Sequence, residues 1–315
     1  MDTLDDHPAC VVCGHGETRA LRGQPEDFEY GIVPDPPRHI RHCPACGSRF
    51  LFPRPDTATL AGYYPLDYHA YNEDNGVVAG FLVNLRSKAR AREYFRRLGT
   101  RTIRLFDVGA GDCRHFDSLR ALGDFRFAGV ELKPEMARAA QARGYDVIEG
   151  TLEELDTSGL AGQFDVVTMY QLLEHVLCPD ILMEKALELL RPGGYVLGQL
   201  PCMDSLERRI FGRYWAGYHF PRHLQMFSRR GLEQVLARAG FTDVAVRSSP
   251  HLQAGLSLQN VLVASLPKRP DLRYGKLPIY SLLLLAVAPF CLLEHGLGQG
   301  GMMEFAARKP VAGSA

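Results

Sequence analysis

From Ile103 onward, short apolar runs alternate with stretches whose apolar residues recur at helical spacing, the pattern of a parallel sheet flanked by helices. This pattern predicts strands near 103–108, 126–131, 145–148, 164–169, 194–200, 241–247 and 301–308. Helices are expected near 114–122, 134–143, 180–190 and 229–239. Ser228 is placed to cap the last of these, with Leu232, Val235, Leu236 and Ala239 on its buried face. Upstream, residues 80–98 read as one amphipathic helix. Its apolar positions are Phe81, Leu82, Leu85, Ala89, Phe95 and Leu98, and Arg86, Lys88, Arg90, Arg92, Arg96 and Arg97 take the other faces. Residues 1–79 behave differently, because Pro34, Pro36, Pro37, Pro44, Pro53 and Pro55 break every run before it can become a long helix. Residues 249–300 interrupt the alternation before the last strand and contain the most apolar stretch, Pro278 to Leu293.

Composition excludes several classes. At 315 residues, 46% apolar and with 36 basic against 36 acidic side chains, the chain can bury a real core and has no global pull toward nucleic acid. Its first residues lack the basic and apolar regions of a secretory signal, so a cytoplasmic location is expected, with the eight cysteines as thiols or metal ligands.

Four of those cysteines obey a spacing rule. Cys10-Val-Val-Cys13-Gly14 and Cys43-Pro-Ala-Cys46-Gly47 are matching knuckles. Two thiolates three residues apart chelate one ion, glycine lets amides turn toward the sulfurs, and a second knuckle completes a tetrahedron. A structural zinc held by Cys10, Cys13, Cys43 and Cys46 is expected, closed and non-catalytic, with iron as the lesser option. Residues 1–79 then form a zinc-binding module, and Tyr63 to Tyr71 behind it is either a stacking surface for an acceptor or a packed bridge.

The segment Leu105-Phe-Asp-Val-Gly-Ala-Gly-Asp-Cys-Arg114 ends a strand in a glycine-rich turn that enters a helix, where backbone can approach a ligand closely. Arg114 stands where a dinucleotide fingerprint needs glycine. The next strand ends in Gly129-Val-Glu131, whose carboxylate can accept both hydrogen bonds of a ribose diol. Together the turn and the acid point to a nucleoside site.

Here the chain resembles the class I S-adenosylmethionine-dependent methyltransferases. The matching pieces are Asp107-Val-Gly-Ala-Gly111, Gly129-Val-Glu131, Phe164 to Val176 and Leu190-Arg-Pro-Gly-Gly-Tyr195, in family order. The resemblance implies an α/β fold with a seven-stranded, mostly parallel Rossmann-like sheet over residues 80–315. A small zinc-ribbon module precedes it, and a hydrophobic helical insertion at 249–300 comes before the last strand. It implies S-adenosyl-L-methionine as cofactor, with Asp107, Gly109, Ala110 and Gly111 at its amino acid portion and Glu131 with Leu132 at the ribose. Thr151 and Leu152 would border the adenine, and Tyr170 and Gln171 would close the site, although Tyr170 also reads as a packing residue. Cys113 replaces the family's usual third glycine and should leave slightly less room beside the methionine moiety. The module resembles the amino-terminal zinc-binding region of certain sugar methyltransferases.

Methyl transfer from a sulfonium needs alignment and, for a hydroxyl or carbon acid, a base. His223, in the Pro221-Arg-His-Leu stretch after the fifth strand of the resemblance, ranks first as base or acceptor ligand, followed by His175 and His219. Eight basic residues between Arg86 and Arg104 against one acid, Glu93, suit a phosphate-bearing partner or a solvated helix face. No aromatic interleaving or nucleic-acid motif accompanies them, which disfavours nucleic acid. The apolar run 278–293 is too short to span a bilayer and holds Pro289, so it is expected to cap the acceptor site or touch one leaflet. The acceptor is then a small, glycosyl or lipid-linked molecule, methylated at oxygen or carbon. The alternatives are a ubiquinone-type O-methyltransferase, or a non-catalytic cofactor-binding or zinc-mediated interaction subunit of a biosynthetic complex.

Overall fold

The computed structural model describes residues 8–64, 77–266 and 279–311, with side chains described outside 77–84. Eleven strands and nine α-helices form among the described residues. The main sheet contains β4 (Thr102–Val108), β5 (Asp124–Glu131), β6 (Asp146–Glu149), β7 (Phe164–Tyr170), β8 (Leu190–Pro201), β10 (Thr242–Ser249) and β11 (Met302–Arg308). Its spatial order is β10-β11-β8-β7-β4-β5-β6, and only β11 runs against the rest. The seven strands read from apolar patterning are all present, with ends moved by a few residues. The central strands are buried on both faces, as a sheet sandwiched between helices requires.

Helices α3 (Arg114–Arg120), α4 (Pro134–Ala142), α5 (Pro179–Leu189) and α7 (Arg229–Arg238) connect or flank these strands. The Ser228 side chain accepts from Gly231 N–H, and Leu232, Val235, Leu236 and Ala239 are buried as expected. The stripe on α2 (Val77–Leu98) is rotated from expectation. Ser87, Ala91 and Tyr94 are buried whereas Leu85 is 56% exposed, because the helix docks through Tyr94 and Phe95 onto Phe125. Five of the eight basic residues in the Arg86–Arg104 stretch are absorbed locally. Arg90 lies 3.5 Å above the Tyr170 ring, Arg96 and Arg97 bind Glu93, and Arg101 and Arg104 cover Phe95 and Phe164.

The amino-terminal region makes a second sheet from β1 (Arg19–Ala20), β2 (His39–His42) and β3 (Arg49–Phe52), followed by α1 (Thr57–Gly62). Its fourth strand is β9 (Gln225–Met226), contributed from beyond β8. Cys10, Val12, Cys46 and Phe50 share one core with Val167, Phe227 and Leu232, so module and main sheet are packed as one body. The insertion at 249–300 holds α8 (Ala254–Ala264) and α9 (Tyr280–Gly296), the last with Pro289 inside it, and α6 (Leu206–Phe211), which follows β8, packs against α8. No helix among the described residues is long and apolar enough to cross a membrane. Residues 65–71 of the aromatic follow-on lie outside the described residues.

Candidate active site

β4 and β5 run parallel and end side by side, Asp107 against Gly129 and Val108 against Val130. The turn after β4 folds onto β5 through Gly109 and Ala110 N–H groups, both donated to the Val130 carbonyl. This approach demands glycine at 129, where an added Cβ would lie 2.6 Å from the Asp107 carbonyl oxygen. Glu131 accepts Gly111 N–H at 2.8 Å and Lys133 N–H at 2.9 Å, which aims its carboxylate across the turn. Asp107 is buried, takes a hydrogen bond from Thr168 and stands 3.3 Å from His115 Nε2.

A nucleoside fits this cradle on two observations. An added Cβ at Gly111 would meet nothing within 4 Å, so the space above the turn is open. Leu132, beside Glu131, is 60% exposed and offers an apolar face to a ring. Thr151 is half-buried over the next strand end, whereas Leu152 is fully buried. Tyr170 is held by a hydrogen bond to Tyr94 at 3.0 Å, and burial pushes its phenol up. Gln171 follows at φ 55 with its side chain exposed. Cys113 carries a cost different from the one anticipated. Its φ is 61, the left-handed region that glycine occupies freely, and its side chain is buried in the core. The replacement therefore strains backbone rather than crowding a ligand.

The three expected histidines come together. The His175–His223 and His219–His223 ring centroids are 4.5 and 4.9 Å apart. His175 sits in the turn after β7, and the loop bearing the other two docks on that turn through Leu224 N–H to the Glu174 carbonyl at 2.8 Å. The Gln225 amide adds bonds to the Leu173 and Val176 carbonyls. His223 Nδ1 bonds the Gly217 carbonyl at 2.8 Å, leaving Nε2 as its basic nitrogen. Burial, reinforced by the two neighbouring imidazoles, holds His223 well below the usual histidine range, so it stays neutral. His219 Nε2 stands 3.0 Å from Glu29, and His175 Nδ1 stands 2.9 Å from the Tyr64 hydroxyl.

Sequence reasoning missed those partners. Glu29 is 190 positions from His219, and Asp27, which holds buried Arg222 through two bonds of 2.8 and 3.0 Å, is 195 from it. No local spacing encodes such pairs. Gln259 was also missed. It lines a cavity with Trp215, Glu29, His219 and Arg222, and neither Trp215 Nε1 nor Gln259 Oε1 has a partner within the described residues. A buried donor and a buried acceptor without partners are costly unless something polar enters.

Glu174 is another orphan. Both carboxylate oxygens are buried without hydrogen bonds, and burial pushes its pKa up to about 8. A folded pKa raised above the unfolded value of 4.5 confers stability that is full below pH 4.5 and lost as pH rises through about 8. Glu174→Gln is therefore expected to shrink the loss of urea stability between pH 5 and pH 8, by as much as several kcal/mol. Glu207, also pushed up to about 8 by burial, keeps part of the slope in that variant. An unchanged pH dependence would mean that Glu174 is solvated or paired in solution.

The four knuckle sulfurs also converge. Cys10 and Cys46 Sγ are 3.8 Å apart, Cys13 and Cys43 Sγ are 3.6 Å apart, and all four lie within 4.8 Å of one another. Four ligands at about 2.3 Å from a tetrahedral ion have edges of about 3.8 Å, so this sulfur set fits zinc. The same knuckles grip the histidine loop. Ser228 Oγ donates to the Cys46 carbonyl, Leu51 N–H donates to the Leu224 carbonyl, and Arg54 bonds the Leu177 and Leu224 carbonyls and the Gln225 side chain.

Comparison with known proteins agrees with this architecture. The chain is 34% identical over 98 residues to a ubiquinone biosynthesis O-methyltransferase of Albidiferax ferrireducens, covering 29% of this chain and 38% of that one. A protein of the same description from Xanthomonas oryzae pv. oryzae is 32% identical over 104 residues, 31% of this chain and 43% of its own. The chain thus spans about two fifths of the length of these curated relatives. Phosphoethanolamine N-methyltransferase 2 of Haemonchus contortus, solved with S-adenosyl-L-methionine, superposes with a TM-score of 0.50 at 18% identity, over 80% of this chain and 57% of that one. This likeness concerns the fold. Residues 83–246, just over half of the sequence, match the family described as the methyltransferase domain, and the chain belongs to that family.

Proposed function

We propose that the chain transfers a methyl group from S-adenosyl-L-methionine to an oxygen or carbon of a small-molecule acceptor, glycosyl or lipid-linked. The observation that carries this reading is positional. The Gly109–Gly111 turn with Glu131, and the His175/His219/His223 cluster, lie at the carboxyl ends of neighbouring strands β5, β4 and β7. In open α/β sheets, ligands bind along that edge.

Glu131 and Leu132 would hold the ribose, Asp107, Gly109, Ala110 and Gly111 the amino acid portion, and Thr151 and Leu152 the adenine side. Tyr170 and Gln171 would border the methyl end. Bound there, S-adenosyl-L-methionine supplies an electrophilic methyl on a sulfonium. The protein must then align the acceptor, exclude water and take one proton. His223 Nε2 takes the proton that an acceptor hydroxyl or carbon acid loses as its new bond forms. His219, oriented by Glu29, and His175, oriented by Tyr64, position the acceptor and are the next bases in rank. Trp215 Nε1–H and Gln259 Oε1 suit a ring hydroxyl, which both accepts and donates. Cys10, Cys13, Cys43 and Cys46 would hold a structural zinc. With four sulfur ligands no position is open for chemistry.

The descriptions of the curated relatives favour a second reading, a ubiquinone-type O-methyltransferase, on matches to about a third of this chain. A non-catalytic subunit is disfavoured, because a scaffold has no need of three clustered imidazoles.

The test is calorimetry with S-adenosylhomocysteine. The wild-type protein should bind it, and Glu131→Ala should weaken binding by about 1.5–3 kcal/mol, the loss expected for charged hydrogen bonds. Binding of NAD with no heat from S-adenosylhomocysteine would overturn the reading.

A further inference from the structure

Helix α9 is apolar on both its buried and its exposed side. At about 100° per residue its buried positions, Leu283, Val287, Cys291 and Glu294, fall within an arc of about 80°. Ile279, at its amino-terminal cap, and Leu282, Leu285, Leu292, Leu293 and Leu297 fall within an arc of about 140° on the other side, and they are 44–71% exposed. The covered side thus packs three apolar side chains and one acid, and the uncovered side is aliphatic as well. A soluble helix turns a polar face outward, and an exposed aliphatic stripe of this length marks a contact surface.

Charge favours one occupant. Helices α6, α8 and α9 together contain two acids, Glu207 and Glu294, which are 0% and 1% exposed. The arginines of the same helices, Arg208 and Arg209, reach solvent, and Arg213 just beyond α6 is exposed. An aliphatic face in a packed group of helices whose solvent-reaching charged side chains are all arginines is complementary to anionic lipid. A protein partner fits less well, since Ser281 supplies the one hydrogen-bonding side chain among the exposed positions of α9.

We propose that the leucine face of α9 seats in one leaflet of an anionic bilayer, with the helix lying in the interface plane. The helix does not span, having 17 residues and Pro289 within it. Through α8 the same insertion reaches the cavity lined by Trp215, His219 and Gln259. Ser257 Oγ accepts Ala216 N–H at 2.9 Å and Asn260 donates to the Tyr214 carbonyl at 3.0 Å. A seated α9 therefore brings the histidine loop near the headgroups, where an amphiphilic acceptor would present itself. The seating does not depend on the identity of that acceptor or on the catalytic reading.

The experiment is flotation of the full chain with vesicles of phosphatidylcholine and phosphatidylglycerol, 7:3, and with phosphatidylcholine alone. Wild-type protein should float with the anionic vesicles, at least tenfold less with neutral ones, and less at high salt. Leu285→Glu/Leu292→Glu should lower binding to anionic vesicles at least tenfold while the thermal transition and the S-adenosylhomocysteine isotherm remain those of wild type. Arg209→Glu should weaken binding without abolishing it. Wild-type protein remaining below the gradient, or a double variant floating like wild type, would overturn the proposal. So would a wild-type dimer in lipid-free gel filtration that the double variant converts to monomer, since a second copy would then own the face. Failure of S-adenosylhomocysteine binding with flotation intact would count against the catalytic reading alone.

Discussion

Cys43→Ser is expected to strip the metal, open the amino-terminal module to protease and lower turnover, all in one step. The three losses share a cause. A four-thiolate zinc contributes on the order of 10 kcal/mol to the folding of a small unit, more than a sheet of four short strands with little core of its own can replace. The consequence travels because β3 pairs with β9, and Ser48, Arg49 and Arg54 contact Ser228, Tyr218 and Leu224. These contacts hold both ends of the segment that carries His219 and His223. Loosening them costs alignment, and a displacement of about 1 Å at reacting groups can cost roughly a hundredfold in rate. Metal content, limited proteolysis of residues 8–64 and turnover should therefore fall together. Complete metal loss with protease resistance and turnover unchanged would remove the zinc from the account.

The second large effect is at His223. His223→Ala should reduce turnover by roughly 10²–10⁴-fold and leave S-adenosylhomocysteine affinity nearly intact, because the side chain lies beyond the nucleoside cradle. The pH dependence follows from burial. His223 is held well below its usual 6.5, so it is neutral and able to accept a proton through the neutral range. The acid limb of the rate profile should accordingly lie well below pH 6.5. Stability has the matching sign. Between pH 6.5 and the lower folded value the unfolded chain binds more protons, so His223 makes the fold less stable as pH falls through that window. If turnover survives the substitution and only the acceptor's KM rises, His223 is a binding residue and His175 becomes the next base to replace.

Much of this was legible in the chain itself. The seven strands of the main sheet were readable because each is a short run between turn signals, and in the central strands apolar burial on two faces leaves that mark whatever the neighbours are. Ser228 was readable as a cap because capping is settled within three residues. The knuckle at Cys10 and Cys13, its repeat at Cys43 and Cys46, and the glycine turn were readable because each is a constraint on neighbouring residues, and Glu131 was readable because it ends the strand next in sequence.

Tertiary structure alone decided the rest. Local spacing could not say that α2 would bury Tyr94 and expose Leu85, because the docking face of a helix is chosen by the surface that receives it. Nor could it join Glu29 to His219, Asp27 to Arg222 or Tyr64 to His175, contacts that span 111 to 195 positions and exist once the module closes over the loop. The exposed apolar arc of α9 belongs here too. Sequence shows an apolar helix, but which arc meets protein and which is left for another phase depends on how α8 and α6 pack around Glu294 and Glu207. Hydrophobic periodicity specifies elements, whereas buried charges are assigned partners when those elements assemble. The chemistry of this protein is concentrated in the second category.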